Sequence, residues 1–399
     1  MFDPETFHNL HLEMCRKQLW AGFAPLEIPL LIWDGIHTYA FHHPNPPAPF
    51  EPEWDWYVMS GRAETMVGNS TGTLEFLPIA TVMAVGLSSQ AAAALAIHEA
   101  FHVFQNMQYP RWSANELEVL RYPMLDVDGL ALRRLETRAL SRAITLQDLG
   151  WVRAALKARA SRFARLEERQ RIFERELERI EGTAFFVEGR VKEEAFSLSE
   201  EDFAPQDVRQ RCAVIGRAWM ELLTRFASQS VRGLGSEYID LLLKPVAKTA
   251  PERPLTFSIL EYERERARQD IEILKLLRKT KRLEFFDGFG FLLEITSGTP
   301  LQPQGFDPIN LEALETGEVL HSRYLRLGDA NGWLEMLGAS CLTFGADHPW
   351  LVTKMYIKLP NAPSVTRGAI LRVQHEQLKF EWKNAQLELL DRAMRITIP

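Results

Sequence analysis

The chain is short of several things, and each shortage removes a class of protein. Its 399 residues include three cysteines, Cys15, Cys212 and Cys341. They are odd in number, far apart and without C-x-x-C spacing, so no disulfide framework is expected and a reducing compartment is favoured. No run of about eighteen uncharged apolar residues occurs, so no membrane span is expected. Basic residues are not in excess: Lys and Arg number 46 against 53 Asp and Glu, a net charge of −7. That balance lacks the footprint of a nucleic-acid binder. The opening stretch MFDPETFHNLHLEMCRKQLW is charged throughout, with neither the basic nor the apolar region of a secretory signal. Without such a signal the sequon at Asn69 to Thr71 reads as accidental. The expectation is a soluble, cytoplasmic protein with neither nucleic acid nor membrane as partner.

What is present is an ordinary globular balance, 46% hydrophobic and 25% charged. The length suits two or three packed subregions with a sizeable core. Residues from about Pro4 to Trp20 read as a short helix. EIPLLIWDGIHTYAFHHP reads as a hairpin about Asp34-Gly35, and PNPPAPFEPEWD as a proline-rich loop. TGTLEFLPIATVMAV reads as a strand region that Pro78 assigns to a sheet edge. From about Gly129 to Glu200 apolar residues recur at three and four with dense charge between them, broken near Gly150. The charge-rich part reads as a long, solvated amphipathic helix with i,i+4 ion pairs. Further helices are expected at about Gln206–Ala227 and Ile259–Leu277. After Lys281 the texture becomes β-rich, ending in a short helix near Ala385 to Met394. The fold class is therefore α+β, in three regions: 1–128, 129–280 and 281–399.

The chemistry concentrates in LAIHEAFHVFQN, Leu95 to Asn106. Ser88 or Ser89 is a fitting N-cap, the alanines favour helix, and Pro110 stops it. On that helix His98 and His102 share a face, with Cβ atoms about 5–6 Å apart. One zinc ion, which takes neutral imidazole nitrogens at about 2.0–2.1 Å, can bridge them. Glu99 is rotated about 100° from His98. It is poorly placed to join the ligands but able to take a proton from a water at the ion. Two imidazoles in an apolar helix are costly unless they find partners. A catalytic zinc site also needs a third protein ligand. Glu181, in RIEGTAFFVEG, is the first candidate because it stands where a charged run turns apolar. Gly182 and Ala184 there allow close approach of a neighbouring helix. Glu188, on the same face, is a candidate to orient a ligand histidine or to be the ligand, and Glu136 is a third choice. His42 and His43 read as loop histidines.

HEAFH followed by a helical EGTAFF resembles the gluzincin branch of zinc metallopeptidases. The resemblance covers these two segments and the order of helices around them. RQRCAVIGRAWMELLTRF, with Gly216 at a close-packing position, is similar to a helix that often follows. It implies a zincin-like fold with a mainly helical catalytic region. It also implies zinc held by His98, His102 and Glu181, Glu99 as general base, and a peptide or protein substrate laid against an edge strand, within PIATVMAV, beside the active-site helix. The metzincin extension is absent, since Gln105 and Gln108 replace its glycine and third histidine. The oxyanion donor is left open among His321, Tyr324, His348, His375, Tyr238 and Arg211. The same ligands and base would serve a zinc hydrolase of non-peptide amides or esters. A zincin-like binding protein with a vestigial metal site is the rival from another class, and Glu99 argues against it, because a structural site needs no base.

Overall fold

A computed structural model describes residues 2–199, 208–315, 317–345, 350–390 and 393–399. The protein is α+β, with an N-terminal β segment, helices in the middle and a β-rich C-terminal region. It divides into two compact units, Met1–Asn115 with Pro123–Ala267, and Glu116–Tyr122 with Arg268–Pro399. Regions 1–128 and 129–280 thus fall mostly within the first unit, and 281–399 within the second.

The first unit opens with α1 (Pro4–Cys15), capped by the Asp3 side chain. A hairpin follows, β1 (Leu30–Trp33) and β2 (His37–Phe41), paired antiparallel. Its turn is built as Asp34-Gly35 suggests: one Asp34 oxygen accepts the Ile36 and His37 N–H groups, and Gly35 takes φ +109°. β3 (Glu51–Glu53), β4 (Trp56–Ser60), β5 (Ser70–Leu74) and β6 (Leu77–Met83) complete a six-stranded sheet. The strand order is β3-β4-β2-β1-β6-β5. PIATVMAV is therefore not the edge. β6 lies between β5 and β1, and β5 is the edge strand. Pro78 is tolerated inside the sheet because the β1 register on β6 begins only at Ala80, so its missing N–H falls outside that ladder.

α2 (Ser89–Gln108) follows β6 directly. The Ser88 hydroxyl caps it, accepting the Ala91 N–H at 3.2 Å, and Tyr109 ends it just before Pro110. Ala92, Ala93, Ala96, Ile97, Ala100 and Phe101 are fully buried in a core shared with Leu30, Ile32, Val82, Ala184 and Val187. Small side chains along α2 let strand and helix approach it from both sides, and that is what brings the histidines close to a second helix.

Five further helices of this unit are α3 (Val127–Leu146), α4 (Leu149–Phe163), α5 (Glu168–Lys192), α6 (Val208–Phe226) and α7 (Ile239–Ala247). α8 (Phe257–Asp287) runs ten residues past the expected Leu277. The expected start of α6 at Gln206 lies outside the described residues. α5 crosses α6 at Gly182 and Gly216. A Cβ on Gly182 would stand 2.4 Å from the Gly216 Cα, and one on Gly216 would stand 2.2 Å from the Glu178 carbonyl oxygen. No side chain fits either position.

The charge-rich segment is not one solvated helix. It splits into α4 and α5; Lys157, Arg165, Glu167, Glu168 and Arg169 are exposed, while many of its other charges turn inward. Arg133, Arg159 and Arg162 interlock with Glu136, Glu174, Glu178 and Asp240, each at most 3% exposed. Arg133 donates to Glu174 at 2.9 Å, and Arg159 to Glu136 at 2.8 Å and to Glu178. Arg162 donates to Glu136 at 2.9 Å and to Glu174 at 2.6 Å. Arg159 also lies 3.2 Å from Asp240. Burial alone would raise the Glu136 pKa, but Arg162, Arg159 and Arg133 hold it below the ordinary carboxylate range. Along the sequence the i,i+4 spacing gives a surface pattern. The partners in fact stand on neighbouring helices, and that pairing lets the charges leave water.

The second unit is dominated by a sheet running from β7 (Phe291–Phe306) to β18 (Ala393–Ile398) around its own apolar core. Its last segment is not a helix. β17 (Gln386–Leu389) pairs with β18, and β18 adds parallel to β7. In β18, Met394, Ile396 and Ile398 are buried while Arg395 and Thr397 are exposed, a period of two that only a strand satisfies.

Removing one cation from the buried network leaves carboxylates facing each other without water. Arg162→Met is expected to cost about 3–5 kcal/mol in urea unfolding. A loss under about 1 kcal/mol would show that these pairs contribute no more than surface pairs do.

Candidate metal centre

Three helices build the centre. α2 presents His98 and His102, α5 presents Glu181 and Glu188, and α6 supplies Arg209. His98, His102 and Glu181 each bring one donor atom to within 4.8 Å of the others, a group able to hold a metal ion. The spacing read on the sequence and the choice of Glu181 over its competitors thus meet in space. Glu136 belongs to the buried arginine network instead, and Glu188 takes the orienting position.

The imidazole tautomers follow from the outer partners. Gln105 uses its amide N–H groups on the Ile180 carbonyl at 2.9 Å and on Thr183 Oγ1 at 2.7 Å. Thr183 in turn donates its hydroxyl to the Arg179 carbonyl. The Gln105 oxygen is therefore the atom facing His102 Nδ1, at 2.7 Å, and that nitrogen must carry the hydrogen. His98 Nδ1 donates to Glu188 at 3.0 Å. Both Nε2 atoms are left with lone pairs, and they face each other at 3.1 Å. Only a shared cation satisfies two lone pairs at that distance. The donor set therefore fits a metal ion.

A proton can fill the same role. Burial alone would lower His102, but the charge of Glu181, its hydrogen bond and the charge of Glu99 push it up to about 9. An ion entering the site displaces that proton. Burial would raise Glu181, yet His102 and Arg209 hold it far below the carboxylate range. One Glu181 oxygen accepts from Arg209 at 2.6 Å, and the other lies 3.6 Å from His102 Nε2. Burial acts against Glu188 too, but the hydrogen bonds it accepts from His98 and Lys192 bring it down to about 2.

Glu99 is 6% exposed. Burial, aided by the charge of Glu181 and opposed by His102, His98 and Arg209, raises its pKa above the usual carboxylate range. That direction suits a base working near neutral pH. Phe185 packs edge-on against the His98 ring at 5.2 Å, an apolar wall beside the ligands.

Gln105 and Arg209 were not singled out from the sequence. A glutamine buried three residues after His102 in an apolar helix was the one available signal. Arg209 carried none, because its partner Glu181 stands on another helix. Of the oxyanion-donor candidates, the Tyr238 hydroxyl bonds Glu176 at 3.2 Å, beside the rings' arginine contacts with Arg175 and Arg179. Arg211 is buried on α6. His321 bonds Thr343, and His375 bonds Asn361, both within the second unit, where Tyr324 also lies. His348 lies outside the described residues. Comparison with protein-family models, curated proteins and solved structures finds no match.

Gln105→Leu keeps the helix but frees His102 to adopt the wrong tautomer. Zinc affinity is expected to fall about 10–100-fold, measured by chelator competition, with the fold intact by circular dichroism. Glu181→Ala removes one of the three candidate ligands and is expected to leave purified protein with little zinc by elemental analysis. Stoichiometric zinc in that variant would remove Glu181 from the ligand set.

Proposed function

We propose that the chain is a zinc-dependent metallopeptidase of gluzincin type, with a zincin-like catalytic region. The observation that carries this reading is the enforced confrontation of His98 and His102 Nε2, with Glu181 completing the donors and buried Glu99 next to them. His98, His102 and Glu181 would hold the zinc, and Glu99 would serve as the base. When bound, zinc supplies Lewis acidity toward the scissile carbonyl and makes water a stronger acid.

The chain's own residues do the rest. Glu188 and Gln105 hold each imidazole in the tautomer that offers Nε2. Arg209 fixes the Glu181 carboxylate by one oxygen and leaves the other to the site. Glu99, raised by burial, accepts a proton from the attacking water and passes it to the departing amine. β5 is the last strand of its sheet, and Asn106, one turn after His102, donates to the Thr71 hydroxyl on it at 3.3 Å. An extended peptide adding to β5 would run beside the ligand face of α2, held by backbone hydrogen bonds. Among the described residues no helix is long and apolar enough to cross a membrane.

Glu99→Gln is near-isosteric and cannot accept the proton. It is expected to retain one zinc per chain while losing hydrolysis by about 100-fold or more, read on a fluorogenic peptide library. If Glu99→Gln cleaves as wild type does, another group is the base. If wild type loaded with zinc cleaves no member of a peptide library, the peptidase reading fails while the metal centre stands.

A further inference from the structure

Two exposed aromatic side chains stand at one end of the six-stranded sheet. β4, β1 and β6 run parallel, so the β3–β4 and β5–β6 hairpins turn at the same end, where β1 starts and β2 finishes. Trp54 stands on the first turn, 88% exposed, and Phe76 on the second, 98% exposed. Both turns are two residues long. Trp54 takes φ +52°, and Glu75 and Phe76 take +46° and +70°. Asn-Gly is what such a left-handed turn prefers, and a bulky aromatic there costs free energy that no packing returns. Gln147 and Glu193, also left-handed, are ordinary helix ends on α3 and α5. Folding does not explain the choice of aromatics at these two tips.

β4 and β6 are three strand spacings apart, about 14 Å. Phe76 lies four residues before Ala80, the partner of Leu30, so its hairpin overhangs the start of β1 by about 13 Å. A cavity of about 400 Å³ opens at this end, lined by Pro29, His42, Pro44, Leu77, Val103 and Met107. Met107 is 62% exposed. Val103 and Met107 lie on the far side of α2 from His98 and His102, so this face is separate from the metal centre. His42 Nε2 stands 3.3 Å from His11 Nδ1, which ties the end of β2 to α1 and fixes one wall of the cavity. Segments 22–29, 42–60, 70–80 and 103–108 form this end. They carry Glu27, Glu51, Glu53, Asp55 and Glu75, all exposed, and no Lys or Arg. The C-terminus of α2, whose last turn has no basic residue, adds further negative potential.

We propose that this end of the sheet is a docking surface for a basic amphipathic helix of another protein. An α-helix with its side chains is about 10–12 Å across and fits between the two tips. Trp54 and Phe76 would flank its apolar face, one of its side chains would enter the cavity, and its Lys and Arg would meet the carboxylates. The charge disfavours other occupants. A second copy would set acid against acid, and an anionic membrane would be repelled. The surface depends neither on the metal centre nor on peptidase activity.

Phage-displayed random peptides of about sixteen residues, long enough for some four helical turns, are panned on the full-length protein and supply the probes. The selected peptides are expected to carry an excess of Lys and Arg, with apolar residues recurring at three and four. Made synthetically and titrated by fluorescence anisotropy, they are expected to bind Trp54→Asn/Phe76→Gly at least about 10-fold more weakly than wild type. That variant gives both turns residues suited to a left-handed backbone, so its Tm is expected to stay at or above the wild-type value. Glu53→Gln/Asp55→Asn/Glu75→Gln keeps both aromatics and is expected to weaken the same peptides about 10-fold at low salt, with the difference screened at high salt. The proposal is overturned if the selected peptides carry no net positive charge, or if they bind either variant as tightly as wild type. Where the tip variant fails to fold, the neutralised variant decides alone. Phosphatidylcholine vesicles bound by wild type and not by the tip variant would assign the tips to a membrane and overturn the proposal. Self-association of wild type that the tip variant loses would assign them to a second copy, with the same consequence.

Discussion

The crossing of α5 over α6 at Gly182 and Gly216 is the constraint from which the first unit follows. Backbone meets backbone there, with no room for a Cβ on either side. The contact sets the rotation of α5 about its axis, and that rotation distributes its polar residues. Glu174 and Glu178 face the arginines of α3 and α4, Glu181 and Glu188 face the histidines of α2, and Thr183 meets Gln105. A small rotation of α5 would break all of these at once. Gly182 is next to Glu181, so the tightest point of packing also fixes the position of that carboxylate.

Two buried polar systems share this helix, and they differ in kind. In the arginine network every charge has an opposite neighbour, so desolvation is offset by Coulomb attraction and hydrogen bonds. At the metal centre the outer atoms are satisfied by Gln105 and Glu188, and the inner atoms, two facing lone pairs and a carboxylate oxygen, form a concentration of acceptors. The first arrangement stabilises a helix packing. The second stores a demand for positive charge, which a proton or a metal ion can meet.

Where sequence pattern and structure part, the cause is shared. The charges of RFARLEERQRIFERELERIEG looked like a solvated face because a one-dimensional pattern shows i,i+4 neighbours and not the helices alongside. Pro78 suggested an edge strand because it removes a donor, whereas the register places it beyond the β1 ladder. The C-terminal stretch near Ala385 mixes apolar and charged residues in a way that also suits a helix, and its alternation becomes decisive only once β7 is there to receive it.

Local periodicity determined the rest. The cap at Ser88, the alanine-rich helix, the i,i+4 histidines with Glu99 between them and the turn at Asp34-Gly35 are properties of contiguous residues, and they were legible without a partner. Glu181 was readable as a candidate because a charged run became apolar beside a glycine. What only the tertiary structure decided is every pairing across long separation: Glu181 rather than Glu136 at the imidazoles, Gln105 and Glu188 setting the tautomers, Arg209 on Glu181, and His42 meeting His11. Helix and strand signals arise from neighbours along the chain. A ligand set, a buried ion network and a tautomer depend instead on side chains brought together by packing, and no short-range pattern records which of them will meet.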